Sequence, residues 1–322
     1  MKKIIVTARK ENFEKIEPVL KDLYHFLNEE DDVVRITIYH PGEGLEDLID
    51  KFHDALDFRY KDSIIEVFTP DFVISPVLKR TEKKVEKSKE KTPVEKLIYS
   101  TKPHLRLDVS KIALTTVAGI IALTGLFMNN VAIIIGAMLL SPLLGPIYAF
   151  AINTAVGRTS DALKSIGNLT ILLLMVIIFS YLTTLFISIF VELSLTEEIL
   201  ARMDSSFIYI LMAVLLGFAS ILALSKEISE SIAGVAIAAA LLPPAVVTGI
   251  SFALYLPKTI DPLILTLENV LGLMAGSLSA VLLLDIGPRK YYERAAARKF
   301  IARTSLVLVI LLALLFIFSL LL

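Results

Sequence analysis

The chain has 322 residues, a formal net charge of -1, 55% hydrophobic and 20% charged residues, and neither cysteine nor tryptophan. So balanced a charge offers nucleic acid no electrostatic footprint, and the lack of cysteine removes disulfides, thiolate metal sites and cysteine nucleophiles. Nearly all the charge falls before Lys111 or in short loops after it, which divides the chain into a polar region and a membrane region.

Met1 to Val6 lacks the long apolar core of a signal peptide and starts a strand with Ile4, Ile5 and Val6. Phe13, Ile16, Leu20, Leu23 and Leu27 recur at spacings of three and four, which predicts an amphipathic helix. Val33, Val34, Ile36 and Ile38 predict a second strand that Pro41-Gly42 ends, and Leu45, Leu48, Ile49, Phe52 and Leu56 predict a second helix. Ile64, Ile65, Val67 and Phe68 give a third strand. This order predicts a small ferredoxin-like α/β domain over residues 1–78, facing the cytoplasm. His25, His40 and His53 are isolated and no phosphate loop occurs, so no metal or cofactor is implied. Sensing and assembly both remain open roles for this domain. Residues 79–108 form a charged linker, beginning with the mixed-charge run from Lys79 to Lys91.

From 109 to 322 the chain supplies repeated apolar stretches of the roughly 20 residues that a membrane helix needs. They predict spans near 109–128, 130–156, 169–191, 207–225, 230–255, 262–286 and 304–322. Lys and Arg concentrate before the first span, between the second and third, between the fourth and fifth, and between the sixth and seventh. Those four segments share one side if there are seven spans, which predicts a multi-pass protein of the cytoplasmic membrane with its N-terminus inside and its C-terminus outside.

Ala132 to Ile152 aligns with Gly234 to Leu254, pairing Leu139-Leu140-Ser141-Pro142 with Leu241-Leu242-Pro243-Pro244. With a one-residue adjustment Asn168 meets Asn269. The motif lies in the second helix of each half, which predicts a 3+3 inverted repeat (109–191 and 207–286) followed by one extra helix. Proline removes a helix hydrogen bond, so both motifs are predicted to unwind near the bilayer midplane. Ser141, Pro142, Gly145, Pro243, Pro244, Thr248, Asn168 and Asn269 are the candidate substrate-binding residues. Freed N–H groups would suit an anion and freed carbonyls a cation. Glu268 is the candidate coupling residue, with a solvated headgroup position as the alternative; Asp285 is read as interfacial. Gly272 and Gly276 are read as a packing face.

The runs Thr116–Leu126, Ile135–Ile147 and Gly234–Pro244 resemble the prokaryotic membrane family known only as domain-of-unknown-function family three-eight-nine. The resemblance covers about residues 100–286 and leaves out the linker and the seventh helix. It implies a multispanning protein, often with a soluble N-terminal extension, and supplies neither a substrate nor catalytic residues. The residues favour a transporter of a small polar or charged solute. A channel, or a membrane-anchored sensor or scaffold acting through the N-terminal domain, is the alternative. No paired aspartates, Ser/His pair or metal-ligand cluster lies within the spans, so an enzyme is not expected. The expected partners are the lipid bilayer and a solute or ion, with a homo-oligomer allowed.

Overall fold

The computed structural model describes residues 2–21, 23–40, 44–70, 93–203, 206–226, 230–288 and 291–321. The predicted break at Pro41-Gly42, the charged run over 79–91 and the cationic pair Arg289-Lys290 lie outside them. The chain divides into two units, Met1–Pro93 and Val94–Leu322.

In the first unit, strands β1 (Lys2–Arg9), β2 (His25–Glu30), β3 (Val33–His40) and β4 (Ile64–Phe68) form one sheet in the order β2-β3-β1-β4. Every neighbouring pair is antiparallel. With helices α1 (Phe13–Leu20) and α2 (Leu45–Ala55), this is the split β-α-β arrangement of ferredoxin-like domains. The alternation along β1 and β3 sends Ile4, Val6, Ile36 and Ile38 into a core shared with Ile16 and Leu20 of α1 and Leu48 and Phe52 of α2. The opposite face of the sheet exposes Phe26 and Phe68.

One predicted element is corrected. The first helix stops at Leu20 instead of running to Leu27, and a strand absent from the prediction takes its place. That strand, β2, is an edge strand exposed along nearly its whole length, so it carries no burial alternation for a periodicity argument to find. Asp31, with φ 45°, closes the hairpin to β3, a conformation that aspartate tolerates better than most residues.

The second unit is helical. It begins with α3 (Val94–Thr101) and a 3-10 turn (Lys102–Leu105), then continues through α4 (Val109–Phe127), α5 (Val131–Leu140), α6 (Leu144–Ala155) and α7 (Thr159–Ser188). A short α8 (Glu197–Leu200) precedes α9 (Phe207–Ser225), α10 (Glu230–Leu254), α11 (Ile260–Leu283) and α12 (Tyr291–Leu321). Among the described residues six helices are long and apolar enough to cross a membrane, or seven if the bent pair α5–α6 is one span. This is a membrane protein. The third and seventh predicted helices start earlier than their apolar stretches, at Thr159 and Tyr291. Hydropathy marks only the part in hydrocarbon, whereas the helical hydrogen bonding continues into polar turns beyond it.

Helix ends are capped by the residues expected to do so. Asp108 accepts from Lys111 N–H, Asn130 from Ala132 and Ile133, and Thr196 from Ile199. The tight α4–α5 turn passes through Asn129 with φ 52°. Buried residues make up 72% of the apolar windows of α10 and α11 against 11% for α12, so α10 and α11 are the centre of the unit. The glycine face is a packing face, as read: a methyl group added at Gly217 or Gly276 would overlap facing backbone, of α11 at Leu273 and of α9 at Val214, and one added at Gly272 would overlap the Ala213 side chain of α9.

Candidate functional site

The two proline motifs behave differently. α5 ends at Leu140, and Ser141 adopts an extended conformation (φ -83°, ψ 119°), as crowding by the following proline ring requires. The chain turns through Pro142 and Leu143 and resumes as α6, bent by 50° from α5. Pro146 falls in the first turn of α6, where no helical N–H is lost. All 12 residues of α6 are buried. The Ser141 hydroxyl is buried too, with no hydrogen-bond partner among the described residues.

The second motif is corrected: α10 is one unbroken helix through Pro243 and Pro244. The prolines still withhold the N–H groups that would bond the carbonyls of Ala239 and Ala240, four residues back. The helix survives because a neighbour replaces one of them. Asn269 of α11 donates its side-chain amide to the Ala240 carbonyl at 2.8 Å. Packing on all sides holds the rest in place, since Leu241 to Ser251 are buried without interruption.

Next to these carbonyls is a cavity of about 290 Å³ between α9, α10 and α11. Ala239, Ala240 and Pro244 of α10, Asn269 of α11, and Tyr209 of α9 line it. Its rim carries Arg202 and Glu198, paired at 2.7 Å and each about a quarter exposed. The rim segment is anchored on the α4–α5 hairpin: Thr196 Oγ1 donates to the Leu126 carbonyl, and Glu198 N–H to Asn129 Oδ1. The cavity is thus lined by a helix with a proline-stripped carbonyl at Ala239, by the Asn269 amide that is bonded to Ala240, and by an ion pair, a set that can hold a small polar or charged solute.

Of the predicted residues, Pro244 and Asn269 line this cavity. Pro243 is buried in the same helix, and Thr248 lies one turn on, donating to the Pro244 carbonyl at 2.9 Å and standing 3.4 Å from the Thr266 hydroxyl of α11. Asn168 belongs to a second cluster with Gly145. It donates to the His104 carbonyl at 3.1 Å, and the His104 ring rests on Gly145 so closely that a methyl group there would overlap the imidazole. The segment Val94–Leu105 is therefore a strap over the broken helix. Tyr148 OH and Ser100 Oγ are 2.8 Å apart, and Asn153 donates to Thr101 Oγ1 at 3.4 Å. Gly145 is a seat for the strap rather than an open ligand position. Glu268 is fully buried in α11, so the headgroup alternative is withdrawn.

His104, Arg202, Glu198 and Tyr209 were not among the residues singled out from sequence. Glu198 and Arg202 have the i, i+4 spacing of a helical ion pair, the one signal that was available. His104 carries no such pattern, because its significance depends on a glycine 41 positions away.

Residues 138–275 match the family model described as "Domain of unknown function (DUF389)". The chain fits the DUF389 family. The matched DUF389 segment contains every predicted site residue, from Ser141 to Asn269, and the cavity rim. An uncharacterized protein of Methanocaldococcus jannaschii is similar, 28% identical over 274 residues that cover 82% of this chain and 80% of the relative. No solved structure matches the chain.

Proposed function

We propose that this DUF389 protein is a membrane transporter that moves a small polar or charged solute without converting it chemically. Its site in this reading is the cavity of α9, α10 and α11. The observation that carries the proposal is the proline-stripped carbonyl of Ala239, beside that of Ala240 which Asn269 already satisfies, in a helix that lines a cavity together with an ion pair. Backbone acceptors released inside an apolar helix bundle are costly unless a ligand, water or side chain uses them.

The inverted repeat supports alternating access. α10 of the second half packs on α7 of the first, and the broken α6 of the first half packs on α11 of the second, a reciprocal exchange of the kind a two-fold axis produces. Asn168 and Asn269, aligned by the repeat, each donate an amide to a backbone carbonyl of another segment. In this scheme the cavity is the entrance open to the outside, and the strap at Gly145 closes the cytoplasmic route. Glu268, adjacent to Asn269 and buried, is the coupling group. The loop charges support an inside N-terminus and outside C-terminus in the cytoplasmic membrane.

The test is uptake of labelled inorganic ions, amino acids and sugars into proteoliposomes. Saturable uptake of one class, lost in Asn269→Leu, supports the transporter. Unsaturable flux assigns a channel, and absence of flux across the panel overturns both.

A further inference from the structure

We infer that the protein carries a built site for the phosphate headgroup of an anionic phospholipid, at the junction of the strap with α4 and α7. This inference is independent of the transport reading. The strap turn and the first turns of α7 enclose an open cavity of about 520 Å³. Lys102, Arg106 and Lys164 line it, together with one carboxylate, Asp161. Asp161 is already engaged by Lys164 at 3.3 Å, and Lys102 lies over the Tyr99 ring at 4.7 Å. Three cations against one carboxylate leave an excess of positive charge held in a concave surface. The turn that presents Arg106 is braced from below, because Lys111 Nζ donates to the carbonyls of Pro103 and Arg106.

What makes the ligand a lipid is the surface beneath the cations. On α4, Val109 is 82% exposed, and Leu114 and Val117 follow it on the outward side. On α7, the face that begins at Lys164 continues through Gly167 to the exposed Ile171, Leu174 and Ile178, and a Cβ at Gly167 would meet nothing within 4 Å. An apolar strip thus leads away from a cationic pocket along two packed helices. A headgroup phosphate in the pocket would have its acyl chains laid along that strip. Tyr99, 70% exposed, supplies the amphipathic ring that favours the headgroup level. Free phosphate shares the headgroup's charge and lacks any use for the strip, and juxtamembrane cations of this kind attract anionic lipid.

The experiment uses the full chain purified in a neutral detergent, with dioctanoyl phosphatidylglycerol as the probe and dioctanoyl phosphatidylcholine and inorganic phosphate as comparators. Native mass spectrometry counts bound lipid, and thermal shift gives half-saturating concentrations. The expected result is one phosphatidylglycerol per chain, bound at least about tenfold more tightly than phosphatidylcholine or phosphate, and weakened at least about tenfold in Lys102→Gln/Arg106→Gln/Lys164→Gln. Asp161→Asn should strengthen binding, which keeps the test decisive if the triple variant fails to fold. Equal binding of phosphatidylcholine, or an affinity unchanged in both variants, would overturn the site. Phosphate binding as tightly as phosphatidylglycerol would overturn its assignment to lipid.

Discussion

The side-chain amide of Asn269 sits 2.8 Å from the carbonyl of Ala240, the acceptor that Pro244 leaves without its helical donor. An α11 side chain thus completes the α10 hydrogen-bond ladder at the wall of the cavity.

The exchange between Pro244 and Asn269 makes a two-way test. Asn269→Leu leaves the Ala240 carbonyl unsatisfied and should lower stability by about 1–3 kcal/mol. Pro244→Ala restores the N–H, so adding it to Asn269→Leu should recover part of that loss. Thermal denaturation of the two single variants and the double variant gives the coupling. Additive effects would show that the amide is not substituting for the missing N–H.

Gly145→Ala should displace His104 and loosen the strap, at a cost of about 1–3 kcal/mol from overpacking. Removing the ring should relieve the overlap, so His104→Ala/Gly145→Ala should be more stable than Gly145→Ala alone. Melting temperatures of the three proteins, with limited proteolysis as a probe of residues 94–105, check this. An undisturbed Gly145→Ala protein would contradict the seat.

The absence of native cysteine makes orientation testable with single introduced thiols. Ser194→Cys and Lys258→Cys, both at exposed positions, should react with an impermeant reagent added outside, and Ser160→Cys only after the membrane is opened. Outside labelling of Ser160→Cys would reverse the topology and remove the basis for the inverted repeat.

The N-terminal unit has a titration signature. Burial lowers the pKa of His40 below its ordinary value of 6.5, so protonation favours the unfolded chain. The folded state should lose stability as pH falls below about 6.5, with the loss levelling off once the pH passes the lower folded-state value. Urea titrations of residues 1–70 between pH 8 and pH 5 should show this slope, and His40→Asn should flatten it. Asp57, held down to about 2 by the Arg59 guanidinium, should lose its own contribution only between about pH 4 and pH 2.

What the sequence made legible is what local chemistry decides. Ser141-Pro142 broke the second span because the residue before proline is forced out of the helical region and nothing nearby compensates. Pro243-Pro244 carried an equally strong local signal and the helix continued, because the compensating donor, Asn269, lies on another helix. The Gly272/Gly276 face was legible, since small residues at helical spacing have few other uses in an apolar helix. β2 was not, because an edge strand exposed on both sides shows no periodicity. The strap's seat was invisible because His104 and Gly145 are distant in sequence and meet only when the bundle assembles, as do Asn269 and Ala240; the Glu198–Arg202 pair had its helical spacing as a signal, but not its place beside the cavity.

The glycine face between α9 and α11 constrains how the bundle can move. Sliding of packed helices normally proceeds by small rotamer changes at the interface. Where Gly217 meets the Leu273 backbone and Gly276 meets Val214, there are no intervening side chains to readjust, and a shift of even a fraction of a turn would drive carbonyls into Cα atoms. In the transport reading α9 and α11 would therefore travel as one body, carrying Tyr209 and Asn269, which both line the cavity, together. In that reading the moving wall would be α10 together with α7, to whose backbone Gly249 holds it closely, and the Asn269–Ala240 hydrogen bond would be the latch that an opening of that wall releases.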